Sequence, residues 1–190
     1  DESWLDVTSS QTLFGDGPAI ADRLRREVRE ETGLTISVGV SFNKIFAKLG
    51  SDHKKPDATT VIGREDMPWL VWPKPVDALL FVGGASRLTL AALGIHTIGQ
   101  LALAPRELLS RRLGKLGEQI WDYANGLDES PVASIYEKRT VRSVGNGMTF
   151  RRDLLGESDA RKGLQALSEE VAERLRRAGL KCRTVQLTVK

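Results

Sequence analysis

Two groups of charged side chains in this sequence are of a kind that handles phosphate chemistry. Asp1-Glu2 sets two carboxylates side by side at the head of the strand-like run Trp4-Leu5-Asp6-Val7. Hard divalent cations such as Mg²⁺ take carboxylate oxygens together with substrate phosphates. A solvated pair at a chain end is the commoner meaning of two adjacent acids. Lys44 and Lys48 stand one helical turn apart, with Lys54-Lys55 just beyond and Pro56 fixing the chain after them. Ammonium groups so placed can neutralise a triphosphate, and they are also what most solvated surfaces carry.

A third group is made of backbone. Leu80-Phe81-Val82-Gly83-Gly84 precedes a helical run through Leu88 and Leu90 to Leu93-Gly94-Ile95. Helix, glycine turn, helix resembles the helix-hairpin-helix, in which N–H groups at a helix start hold a DNA phosphate without reading sequence. A plain helical hairpin has the same pattern. Downstream, Lys138, Arg139, Arg142, Arg151 and Arg152 follow one another with no acidic residue between Lys138 and Arg152, which gives that stretch a local positive potential.

The whole chain balances 28 basic against 25 acidic side chains over 190 residues, a net +3 that by itself selects no partner. Cys182 is the only cysteine, which excludes an internal disulfide and a cysteine-built metal centre. No apolar run approaches the roughly 20 residues a membrane helix needs, and nothing at the start reads as a signal peptide. The expectation is a cytoplasmic protein with no membrane partner. A start at Asp1, without methionine or lead-in, reads as a fragment.

These groups need elements to position them. After the first strand, Pro18 opens a helix with Ile20, Leu24 and Val28 on one face, and Gly33 closes it. Thr35 to Val40 alternates as a half-buried strand. A short helix with Ile45, Phe46 and Leu49 follows, then a strand from Thr59 to Ile62. Alternating strands and helices predict an α/β layer. Past Pro73 and Pro75 the chain reads as four or five short helices, with a capping box at Thr97 and Gln100, Pro105 in a first turn, and stops at Gly114 and Gly126. After a tether, a strand over 141–150, a helix striped by Leu164, Leu167, Val171 and Leu175, and a strand alternating Val185, Leu187 and Val189 predict a β-α-β half.

Taken in order, these segments resemble the Y-family, lesion-bypass DNA polymerases of the DNA polymerase IV type. Asp1-Glu2-Ser3-Trp4-Leu5-Asp6-Val7-Thr8 is similar to the family's palm motif. Val38-Gly39-Val40-Ser41-Phe42-Asn43-Lys44, continued through Lys48, Ser51-Asp52 and Lys54-Lys55-Pro56, is similar to a second block. Leu79 to Ile95 resembles the thumb hairpin, Leu113-Gly114-Lys115-Leu116-Gly117 the end of the thumb, and Ser143-Val144-Gly145 the start of the little finger.

The resemblance implies an α+β multi-domain fragment: a partial α/β palm sheet over 1–73, an all-α thumb with a helix-hairpin-helix over 74–128, a linker over 129–140, and the β-α-β half of a little finger over 141–190. It implies template-directed nucleotidyl transfer from a dNTP to a primer 3′ end, helped by two Mg²⁺ ions about 3.5–4 Å apart. Asp1 would be a metal ligand, Glu2 a metal-coordinating or primer-end carboxylate, and Lys55 the cation on the triphosphate. Asp6 would be structural. Val82, Gly83, Gly84 and Ala85, with Gly114, Lys115 and Gly117, would grip primer-template DNA through backbone amides, and Lys138, Arg139, Arg142, Arg151 and Arg152 would follow its phosphates. A sliding clamp would be reached through a region outside this sequence.

Two departures from the family pattern matter. Phe81 stands where the hairpin turn has its first glycine, and a bulky side chain resists φ > 0. The family's strand with its first metal-binding aspartate, its steric-gate aromatic and its fingers have no counterpart in these residues, so the chain alone should not extend a primer. A non-catalytic DNA-binding module or degenerate polymerase relative is the alternative, and a metal-dependent nucleotide cyclase fits only the palm-like part.

Overall fold

The computed structural model describes residues 2–137 and 140–189, so Asp1, Lys138 and Arg139 from the expected sites lie outside the described residues. The chain forms two compact units, Asp1–Ala133 and Ser134–Lys190.

The first unit is a mix of helices with one small parallel sheet. Helix α1 (Gln11–Phe14) leads into α2 (Gly17–Thr32), which starts on the Asp16 carboxylate accepting from the Ala19 amide and stops at Gly33, where φ is +71°. Strand β1 (Val38–Ser41) runs into α3 (Lys44–His53), and β2 (Thr59–Ile62) returns parallel to β1 with Val38 opposite Thr59 and Ser41 opposite Ile62. The helix lies close on its own sheet because Gly39 carries no side chain: a Cβ there would run into the backbone of Ala47 and Ser51. Asn43 caps α3 by accepting from the Phe46 amide at 2.8 Å, and its amide nitrogen donates to the Gly126 carbonyl at 3.2 Å.

Four helices follow: α4 (Gly84–Ala92), α5 (Ile98–Leu103), α6 (Arg106–Leu113) and α7 (Lys115–Ala124). Helix α5 begins with the expected capping box, formed reciprocally by Thr97 and Gln100. One apolar core runs from Ile45, Phe46 and Leu49 on α3 through Val71, Val76 and Leu79 to Leu101, Leu109 and Ile120, without a break at Pro73.

Several expected elements differ. Trp4 to Val7 is irregular, because among the described residues no strand lies beside it to complete a ladder; the Trp4 indole instead donates to the Lys44 carbonyl at 3.1 Å. The strand expected from Thr35 forms only at Val38–Ser41, where β2 supplies a partner, so the layer holds two strands rather than three. Ahead of the glycine turn stands a single 3-10 turn, Val76–Ala78, in place of a first hairpin helix.

In the second unit the striped helix forms as α8 (Gly156–Arg177), with Phe150 and Leu154 packed over Gly163. The Arg174 guanidinium donates to the Gly145 carbonyl at 2.9 Å. Neither flanking strand forms: the described residues of 141–150 and 185–189 join no sheet, and Val185 and Val189 are 88% and 82% exposed. An alternating apolar pattern becomes a strand only where another backbone offers it hydrogen bonds.

Candidate functional site

Helix α3 brings the acidic and basic groups together. Ile45, Phe46 and Leu49 bury one face of it, which turns Lys48 and Asp52, a helical turn apart, toward the other. Lys48 Nζ lies 2.6 Å from Glu2 Oε1 and 2.7 Å from Asp52 Oδ2, and Lys55 Nζ lies 2.5 Å from Asp52 Oδ1. The result is a line of alternating charge, Glu2, Lys48, Asp52, Lys55.

Lys48 is the least exposed member, and burial works against its charge. Hydrogen bonds to Asp52 and Glu2 outweigh that cost and raise its pKa. Burial likewise works against the Asp52 carboxylate, but hydrogen bonds from Lys48 and Lys55 prevail and lower it. Both groups are therefore held in their charged forms. Lys55 keeps about half its side chain in solvent, where an anion can reach it.

Of the other lysines expected here, Lys44 turns away and donates to the Pro131 carbonyl at 3.0 Å. Asp6, expected to be structural, accepts from the Thr8 amide at 3.0 Å. Asp1 is outside the described residues, and among the described residues no cluster of three or more His, Cys, Asp or Glu side chains forms.

The glycine turn borders the same cleft, which is lined by Lys48, Asp52 and the run from Asp77 to Gly83. Phe81 does enter the left-handed region, at φ +70°, against the expectation from its bulk. Its ring lies 6.0 Å from that of Tyr123 on α7, a contact that offsets part of the conformational cost. The Val82 side chain is buried and its amide is spent on the Leu79 carbonyl at 3.1 Å. Gly83, Gly84 and Ala85 are exposed at the start of α4.

At the second turn Gly114 takes φ +61° and Lys115 is exposed, whereas Gly117 is buried against Leu109 and its amide donates to the Gly114 carbonyl at 3.0 Å. In the other unit Arg142 and Arg151 are exposed, and Arg152 pairs with Asp159 at 2.7 Å.

Asp52, named in the sequence only as part of the second block and given no role, and Arg25, not singled out at all, are the residues that sequence reasoning missed. Lys-x-x-x-Asp on a helix was a usable signal for Asp52. Arg25 gave none, because its partner Asp57 lies far along the chain on another element.

A model of the impB/mucB/samB family matches residues 1–52, and a model of that family's C-terminal domain matches residues 141–190. Over all 190 residues the chain is 50% identical to a DNA polymerase IV of Acetivibrio thermocellus, covering 48% of it, and 41% identical to one of Moorella thermoacetica, covering 47%. It is 40% identical to a DNA polymerase IV of Halorhodospira halophila and covers 52% of that protein. The chain thus spans about half the length of the curated relatives it matches. Matched in order by the two models of one family, and similar along its full length to these polymerases, the chain belongs to the impB/mucB/samB family, the Y-family lineage of the DNA polymerase IV type.

Proposed function

We propose that this chain contributes part of the palm (1–73), the thumb (74–128) and part of the little finger (141–190), joined by a tether (129–140), to a template-directed DNA polymerase that copies past lesions. The observation that carries the reading is the charged line on α3, which ties Glu2 to Lys55 beside the cleft bordered by the glycine turn. The names of the relatives point the same way.

In this reading the incoming dNTP lays its triphosphate against Lys55, which leaves Asp52 for a stronger anion. Such charge placement is most of what phosphoryl-type transfer asks of a protein. Lys48 stays on Asp52 and Glu2 and orients the carboxylate of Glu2. Glu2 offers hard oxygen donors, which suits Mg²⁺, and with Asp1 it would hold the ion pair of a two-metal site. When bound, those ions activate the primer hydroxyl and steady the triphosphate.

The amides of the exposed residues Gly83, Gly84 and Ala85, together with Lys115, face duplex phosphates, and the arginines of the second unit add sequence-blind attraction, while the Gly114 amide is spent closing α6 on the Ser110 carbonyl at 2.8 Å. Val82 and Gly117 serve these turns by packing.

Titration of a fluorescent primer-template duplex with the chain at several salt concentrations tests this. The expected result is binding that ignores sequence and falls steeply with salt, without primer extension by the chain alone in Mg²⁺ and nucleotides. Absence of binding at low salt would remove the thumb and little-finger roles.

A further inference from the structure

Lys55 stands on the short loop between α3 and β2, and what fixes that loop comes from outside it. Arg25 on α2 is largely buried, with 22% of its side chain exposed. Its Nη2 donates to the Asp57 carboxylate at 2.9 Å and also to the Asp57 carbonyl, while Nε reaches the same carboxylate at 3.2 Å. Its Nη1 reaches Asp22 at 3.1 Å and the Thr59 hydroxyl oxygen at 3.3 Å. The Thr59 hydroxyl in turn donates to Asp22 at 2.6 Å, and Arg29 adds a second ion pair to Asp57.

One guanidinium therefore grips both the loop end and the first residue of β2. Asp57 itself sits at φ +54°, a conformation an aspartate tolerates better than most residues but holds only when its surroundings fix it. A planar fork with donors in several directions does this, and a lysine ammonium does not.

We infer that Arg25 is a positioning residue for the nucleotide: by locking Asp57 it holds Lys55, two residues back along the same loop, where a triphosphate can meet it. This rests on the reading of Lys55 as the triphosphate contact.

The test is calorimetric titration of the chain with magnesium tripolyphosphate at low salt, for wild type, Lys55→Ala, Arg25→Lys, Asp57→Asn and the double variant Arg25→Lys/Lys55→Ala, each with a melting curve. Arg25→Lys and Asp57→Asn are each expected to weaken binding by about tenfold. The double variant should bind no more weakly than Lys55→Ala alone, because both changes act through one ammonium group. A role confined to stability would instead lower the melting temperature and leave the affinity of the folded variants unchanged.

Full affinity in folded Arg25→Lys and Asp57→Asn, or losses that add in the double variant, would overturn the positioning role and leave Lys55 standing. Unchanged binding by Lys55→Ala, or none by wild type, would overturn the Lys55 reading and this inference with it.

Discussion

His53, at the end of α3, has its ring Nδ1 at 2.7 Å from Lys74 Nζ. Burial, then the charges of Lys74 and Lys54, depress its pKa below the ordinary 6.5, so the folded chain keeps the ring neutral as an acceptor for the ammonium. As pH falls through 6.5 and below, the unfolded chain takes up a proton before the folded one does. Stability is therefore full above that value and is lost as the pH drops toward the folded pKa. Melting curves between pH 7.5 and about 5 should show this decline, and His53→Gln, which keeps an acceptor but does not titrate there, should flatten it. At this scale the sequence was only partly legible. The lysines were visible as charge, but that Lys44 would turn to Pro131 while Lys48 found two carboxylates depended on packing. Phe81 ran against a sound local rule: its bulk disfavours φ > 0, and the contact with Tyr123 that helps hold it there comes from a helix far along the chain.

Helices and turns with short-range causes were the legible elements. Asp16, Asn43, Thr97 and Gln100 announce their caps within three residues, and Gly33 and Gly114 announce their stops. Strands were less so, since Trp4 to Val7 and 185–189 have strand-like patterns and no partner among the described residues. Two glycines separate the reasons an element needs one. At Gly39 the space is missing, so Gly39→Ala pushes a methyl group into the backbone of α3 and should cost at least about 3 kcal/mol. At Gly114 the space is open and only the angle is unfavourable, so Gly114→Ala should cost about 1 to 2 kcal/mol. Urea unfolding of the two variants measures the order, and equal losses would contradict it.

Across the whole molecule the apolar core is unevenly shared. Every buried hydrophobic side chain among the described residues lies between Ala21 and Ala124, and the second unit has none. Its α8 relies on exposed ion pairs such as Glu157 with Arg161 and Glu173 with Arg177, each worth only about 0.3–0.5 kcal/mol. Native-state amide exchange should accordingly find α8 opening at much lower free energy than α3, α5 or α7, and equal protection would show that something else covers the second unit. The first unit has the opposite character. β1, α3 and β2 join strand, helix and strand within one continuous stretch from Val38 to Ile62. Little chain entropy is spent in closing so short a crossover, whereas the contacts of α3 with the helices after Pro73 must wait for a longer loop to close. Kinetically the unit is thus the natural nucleus, and in pulse-labelled refolding the amides of Val40 and Val61 should be protected before those of α7.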